Sequence, residues 1–524
     1  FFAEAFLLCS IIWTGMGIMG IGRLLSWPSI RDVITISLIL SVFQILIRCD
    51  LYRTIWRYHY PILFLWIWTY AYVMRAVSGN HGVNYSDIKP YILFAVLIFS
   101  LLTFMVSIFL TTREKLSYIK WTFPWIYGFT ILMLLMPPII YVIYYQLYGS
   151  LLTPAVMVPI LDTDPREASE FLIQQLGYYK IIFIVRIIAM AFGFYSIRVF
   201  HMKHENSISI STKMLRFLCI GTVFFSFYGT VHFGSHIFPF DEYVQAKDYI
   251  VEMRNASKYF GINAQNIKFD KEHLFLSESH PGTVILVIGE SASRDHMSAF
   301  NSQYISRHTT PWLSKEARSS NFFLFNHSYS NYPQTVKALS FYLTSANQYN
   351  GSDLKEAVSL IDIAEQSGYE TFWISNQGKV GVNDTATTGI AERADHVYWT
   401  HQTGGYDEQL VSILRSIPMK GNHFIVIHLM GSHMYYDDRV PTSFPYPENS
   451  GEDKRIDEYD RTVSYTDQIL HEIFDYAHEN MNLQMMVYAS DHGEDMKYGH
   501  NASPFTFDMV RIPLWIYLSP AYRA

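Results

Sequence analysis

The 524-residue chain has no cysteine beyond position 219; its three, Cys9, Cys49 and Cys219, all sit in apolar segments. The polar second half can therefore hold neither a disulfide framework nor a thiolate metal site. Charge is also scarce. Only 16% of residues are Asp, Glu, Lys or Arg, low for a soluble globular protein, while half are hydrophobic and 16% aromatic. The net charge of −7 excludes the broad basic face of a general nucleic-acid binder. No internal repeat or low-complexity stretch interrupts the chain. The first apolar run is one of many and no small-residue cleavage site follows it, which argues against a signal peptide. The sequence opens on Phe1, so a native start upstream is expected.

The apolar excess is gathered before about residue 235. Stretches near 1–22, 33–49, 58–78, 88–111, 123–148, 180–200 and 214–233 each approach the ~20 residues needed to cross a bilayer. They predict five to seven spans in a helical membrane domain over 1–233. Basic residues cluster in alternate links: Arg53 and Arg57, then Arg113, Lys115 and Lys120, then Lys203 and Lys213. The links between them are poor in Lys and Arg, with none in 79–87 and only Arg166 in 149–179. The positive-inside rule then places the N-terminus inside and everything after 233 outside. The link carrying Arg23 and Arg31 does not fit this alternation.

Two features of this half carry more than lipid-facing bulk. Arg186 lies within "IIFIVRIIAM"; it either snorkels to the outer interface or serves a substrate. The outer-face loop 149–179 contains "DTDPREASEFL", an Asp-Pro turn followed by a helix start with acids in its first turn. Asp164 and Glu167 there, with Arg186 and Arg439, are candidate substrate-binding residues.

Residues 234–280 read as a juxtamembrane linker with an amphipathic helix in "FDEYVQAKDYIVEMRNASKYF" and a turn-rich hinge, "SESHPG". Over 281–524, short apolar runs ("TVILVIG", "FFLF", "TFWIS", "FIVIHLM", "LQMMVY", "PLWIYL") alternate with helical stretches. The expected fold is an α/β domain whose largely parallel sheet lies between helices. In such sheets ligands bind beyond the C-terminal ends of the strands. Here those ends carry Glu290, then His428 and His433, then Asp491 and His492. Carboxylate and imidazole without thiolate suit Zn2+ or Mn2+. A metal-bound hydroxyl would make a nucleophile. Ser291, directly after Glu290, and Thr335, at a helix start, both qualify, and spacing does not choose between them.

At these residues the chain resembles the phosphoethanolamine transferases of Gram-negative envelopes, in the alkaline phosphatase/sulfatase superfamily. The resemblance is carried by "VILVIGESASRDHMSAFNSQYISRHTTPWL", "NYPQTVKALSFYLTSAN", "TFWISNQ", "HLMGSHMYYDDRVP", "YDRTVSYTDQIL" and "YASDHGE". It is nearest to the branch that modifies lipopolysaccharide core sugar. It implies that Thr335 is the nucleophile and that Glu290, Thr335, Asp491 and His492 hold a catalytic zinc. His433 and His500 would handle the phosphate or a second metal. It further implies a multi-pass inner-membrane protein with a periplasmic catalytic domain, a phosphatidylethanolamine donor and a lipopolysaccharide or lipid A acceptor. The chain departs from the pattern in "HMYYDDRV", where two acids replace a more basic stretch, and in having more spans than the usual five. Without an outside cysteine, the formylglycine chemistry of true sulfatases is excluded. Alternative readings are a phosphoglycerol transferase or phosphodiesterase of the same superfamily, and an inactive membrane receptor.

Overall fold

A computed structural model describes residues 117–148, 165–200, 240–259 and 282–523, apart from 353, 378–385, 401–404, 452 and 501–504 in the last stretch. It also describes isolated positions between 66 and 157 and at 220, 224 and 228. The chain divides into two compact units, Phe1–Met157 with Phe171–Ala246, and Val158–Glu170 with Lys247–Ala524.

In the first unit, α1 (Ser117–Tyr148) contains the apolar stretch Trp121–Tyr145. Among the described residues it is the one helix long and apolar enough to cross a membrane. Pro124, Pro137 and Pro138 lie inside it, as is tolerated where neighbouring helices re-satisfy the freed carbonyls. The next helix, α2 (Pro165–Phe200), begins at the expected Asp-Pro turn but does not stop. Its first turns occupy what the sequence suggested was loop, because Pro165 pre-sets the first helical φ and no strong breaker follows. Gly128 of α1 faces Ser196 and Phe192 of α2 so closely that a Cβ there would meet the Ser196 hydroxyl. Close approach through a small residue is how helices associate where water supplies no hydrophobic drive. The spans expected at 1–22 and 33–49 lie outside the described residues. The helix expected before the hinge is present as α3 (Phe240–Tyr259), with Asp241 and Glu242 in its first turn; "SESHPG" lies outside.

The second unit is built on a seven-stranded sheet. Its strands are β1 (Thr283–Gly289), β2 (Phe322–Leu324), β3 (Glu370–Ser375), β4 (His396–Trp399), β5 (His423–His428), β6 (Leu483–Ser490) and β7 (Leu514–Leu518). The spatial order is β2-β7-β6-β1-β5-β3-β4. From β6 to β4 all pairings are parallel, whereas β7 runs antiparallel to both β6 and β2. The sheet is therefore mixed, with an antiparallel edge that the strand patterns alone did not distinguish.

Every residue of β1 is buried, as a central strand covered on both faces requires. Ile285 and Val287 face one core, with Trp312 and Leu313 of α4 (Pro311–Glu316) and Ile469 and Ile473 of a long helix, Lys454–Asn480. Val284, Leu286 and Ile288 face the other, with Leu339 and Leu343 at the helix Thr335–Tyr342, here α5, and Ile361 of α6 (Leu360–Gln366). Two more helices complete the cover, α7 (Ala386–Ala391) and α8 (Glu408–Leu414), which makes the long Lys454–Asn480 helix α9.

One buried acid ties two of these helices together. Asp467 of α9 accepts hydrogen bonds from the amides of Trp312 (2.8 Å) and Leu313 (3.2 Å) at the start of α4, whose own cap residue Thr310 makes no side-chain cap. Burial pushes the Asp467 carboxyl up to about 7 despite these two donors. A carboxyl raised above its unfolded value, ~3.9, favours the folded state most when protonated. Its contribution is full below pH ~4 and is lost as pH rises towards 7. The melting temperature of Asp467→Asn, relative to the native chain, should therefore improve steadily from pH 4 to pH 7 in a thermal scan series. A relative decline over that range would contradict the assignment.

Candidate metal and phosphoryl-transfer site

The C-terminal ends of β1 and β6, hydrogen-bonded neighbours, release Glu290 and Asp491-His492 side by side. All three are essentially buried. One ligand atom from each lies within 4.8 Å of the others. His492 Nε2 stands 3.4 Å from both Glu290 Oε1 and Asp491 Oδ2. Its other nitrogen, Nδ1, donates to the Gly493 carbonyl at 2.8 Å, so Nε2 is the atom turned into the cluster. Asp491 Oδ2 is buried without a hydrogen bond.

Two carboxylates this close destabilise each other. Burial and the Glu290 charge push Asp491 up to about 7. Burial also opposes an ionised Glu290, but the hydrogen bond and charge of His492 outweigh it and hold that carboxyl well below its usual range. At His492 burial works against the imidazolium, yet Asp491 and Glu290 prevail and lift it to about 10. The arrangement calls for positive charge at one point. A divalent ion would supply it, held by a donor set of two carboxylates and one imidazole that suits Zn2+ or Mn2+. The residues therefore fit such an ion.

Thr335 completes the cluster. It is the first residue of α5, whose cap position is Gln334, so its hydroxyl is not spent on capping. Instead Oγ1 lies 3.3 Å from Glu290 Oε2 and 3.3 Å from His492 Nε2. Ser291, the rival nucleophile, is fully buried and donates its hydroxyl to Glu290 Oε1 at 2.7 Å. The geometry thus leaves Thr335 as the hydroxyl at the metal-competent point.

Two further histidines flank the cluster. The His500 ring centroid is 4.4 Å from that of His492, and the His433 ring is 6.3 Å from His500. His500 Nδ1 is held by Glu494 Oε2 at 2.7 Å, and Glu494 Oε1 accepts from the Tyr436 hydroxyl at 2.7 Å. Burial drives the His433 imidazole down to about 4, so it faces the site neutral. His433 follows a tight turn at Gly431, where φ is +52° and a Cβ would stand 2.9 Å from the Glu290 carbonyl. Glycine is required there for the turn to close over Glu290. Asp407 fixes that turn by accepting from the Met430 and Gly431 amides, both at 2.9 Å.

His428, a strand-end candidate by sequence, is instead turned into the sheet core beside Trp373 and does not join the cluster. Arg439 donates to the Met434 carbonyl at 2.9 Å and packs over Tyr435. Arg186 is exposed on α2 of the first unit. Asp164 lies outside the described residues, and Glu167 is placed only as backbone, in the first turn of α2. Sequence reasoning passed over Gln377, whose amide donates to Glu290 Oε2 (3.3 Å) and to the Leu429 carbonyl (2.8 Å). Its position just beyond β3 repeats the signal that marked Glu290 and Asp491. Glu494, inside "SDHGE", was passed over too.

Residues 282–524 match the sulfatase family. This part of the chain belongs to that family. Among curated relatives, the phosphoethanolamine transferase EptC of Escherichia coli is 25% identical over 421 residues, covering 73% of this chain and 72% of that protein. The phosphoethanolamine transferase OpgE of the same species is 32% identical over 221 residues, 40% of this chain and 39% of that protein. Among solved structures, the integral membrane lipooligosaccharide phosphoethanolamine transferase A of Neisseria meningitidis aligns over 88% of this chain and 89% of its own, with TM-score 0.52 and 17% identity. That last likeness is one of fold. It covers most of both chains.

If Glu290, Asp491 and His492 hold the ion, Glu290→Ala, Asp491→Ala and His492→Ala should each abolish tight zinc binding. His433→Ala and His500→Ala should retain it. Equilibrium dialysis with elemental analysis reads the difference; zinc lost with His500 but kept without His492 would reassign the site.

Proposed function

We propose that the chain is a membrane-bound transferase that moves phosphoethanolamine from phosphatidylethanolamine to a hydroxyl of an envelope acceptor, lipopolysaccharide core or lipid A. The observation that carries this reading is the meeting of the Thr335 hydroxyl with Glu290 and His492 at 3.3 Å. The names of the curated relatives support the transferred group. Glu290, Asp491, His492 and Thr335 would hold Zn2+, with Mn2+ as the alternative. The ion supplies positive charge that lowers the hydroxyl pKa and stabilises charge developing on phosphate oxygens.

The chain's own residues then divide the work. The α5 N-terminus holds Thr335 at the end of the sheet, where Oγ1 attacks the donor phosphorus. The Oγ–P bond forms as the bond to the diacylglyceryl oxygen breaks, and diacylglycerol leaves with a proton. Phosphoethanolamine remains on Thr335 until an acceptor hydroxyl attacks, gives up its proton and restores the threonine. His500, fixed through Nδ1 by Glu494, presents its other nitrogen for proton transfer or phosphate contact. His433, neutral, contributes a hydrogen bond rather than charge.

On this reading the first half is a multi-pass inner-membrane anchor and the second a periplasmic domain, and Asp164, Glu167, Arg186 and Arg439 are the residues proposed to bind substrate. The superfamily also includes phosphoglycerol transfer, so the donor needs a direct test. The full-length protein incubated with phosphatidylethanolamine should gain one phosphoethanolamine adduct, mapped by mass spectrometry to the peptide bearing Thr335. Thr335→Ala should gain none while staying folded, since Thr335 is only partly buried and its hydroxyl caps no amide of α5. A glycerophosphate adduct from phosphatidylglycerol alone would establish the phosphoglycerol reading. Intact protein that takes neither group would favour a receptor.

A further inference from the structure

Ser291 lost its place as a nucleophile, yet its geometry is not that of a bystander. It is fully buried, and its φ of +54° puts a non-glycine residue in the left-handed region. Such a backbone carries a conformational penalty and persists only where its surroundings enforce it. Each of its polar groups is committed. The hydroxyl donates to Glu290 Oε1 at 2.7 Å. The amide donates to Asp491 Oδ1 at 3.1 Å. The carbonyl accepts from the Tyr459 hydroxyl at 2.7 Å. That same hydroxyl accepts from the Ser293 amide at 2.7 Å, so α9 grips the turn on both sides of Ala292.

We infer that Ser291 is a positioning residue for the metal centre, setting the carboxylates of Glu290 and Asp491 together from one strained turn that Tyr459 holds in place. The inference rests on the metal-site reading of the cluster. Ser291 holds one oxygen of each carboxylate, Glu290 Oε1, which also stands against His492 Nε2, and Asp491 Oδ1; Glu290 Oε2 then faces Thr335 and Asp491 Oδ2 faces His492 Nε2. The His492 amide shares the hold on Asp491 Oδ1 at 2.7 Å, whereas Ser291 is, among the described residues, the one bonded to both acids through its own hydroxyl and amide. The left-handed turn lets the amide and hydroxyl of a single residue reach acids that leave two different strands. Residues that orient metal ligands in this way change affinity without being ligands themselves.

The test is zinc affinity of the full-length protein, read by competition with a chromogenic chelator, beside the melting temperature of the metal-free form. Ser291→Ala and Ser291→Gly both remove the hydroxyl; glycine in addition removes the cost of positive φ. Both should bind zinc about 10- to 100-fold more weakly, with metal-free Ser291→Gly melting at or above Ser291→Ala. Tyr459→Phe should weaken zinc binding in the same direction while leaving Ser291 itself in place. If Ser291→Ala fails to fold, Ser291→Gly and Tyr459→Phe carry the comparison. Wild-type affinity in Ser291→Gly, or a loss confined to melting temperature with zinc binding intact, overturns the inference. Native protein that binds zinc but forms no phosphoethanolamine adduct refutes the proposed transfer and leaves the affinity comparison standing. Native protein that binds no zinc overturns both.

Discussion

Two buried carboxylates at the ends of neighbouring parallel strands, facing the same point, are the constraint on which this domain turns. Glu290 and Asp491 are almost wholly withdrawn from water, and desolvation penalises each ionised form. Their mutual repulsion adds to that penalty. The fold answers with donors and positive charge brought from every side. Ser291 and Gln377 supply hydrogen bonds. His492 supplies an imidazole aimed at both acids. What remains unsatisfied, Asp491 Oδ2 above all, is what the proposed cation would answer. The chemistry proposed at Thr335 would follow from the same demand, since a centre that concentrates positive charge favours an alkoxide and a phosphate oxygen alike.

The surrounding architecture reads as support for that point. The central strands are apolar on both faces, so helices cover them and the polar residues collect where the strands end. α9 does more than cover: it sends Tyr459 to the Ser291 turn and Asp467 to the start of α4. The Gly431 turn presses onto Glu290 from β5, while Asp407 holds it from behind. The lipid donor proposed above would give a reason for the apolar first half. A headgroup ester lies at a fixed height above the bilayer, and a tethered domain meets it repeatedly without diffusing in three dimensions.

Much of this was legible before the fold. The runs "TVILVIG" and "LQMMVY" are unbroken and apolar, and each ends in hard metal ligands, so β1, β6 and three of the cluster residues could be named. Other elements were hidden for identifiable reasons. β4, "HVYW", is short and only half-buried, and its alternation is too brief to separate from a loop. Antiparallel β7 has the same composition as a parallel strand, because pairing direction is set by connections and not by local sequence. The length of α2 was underestimated because "QQLGYYK" carries polar residues and a glycine, which a long helix absorbs at modest cost. Ser291 and Thr335 looked equivalent as hydroxyls, and only burial and hydrogen bonding separate them. His428 shows the converse error: a ligand-type residue at a strand end that the pleat turns inward.

The most direct measurement is the position of bound metal in crystals of the full-length protein, from anomalous scattering at the zinc edge. The expected result is a peak enclosed by Glu290, Asp491 and His492, with Thr335 Oγ1 within bonding distance of it. Zinc found only between His433 and His500, or a peak that Thr335 does not reach, would contradict it.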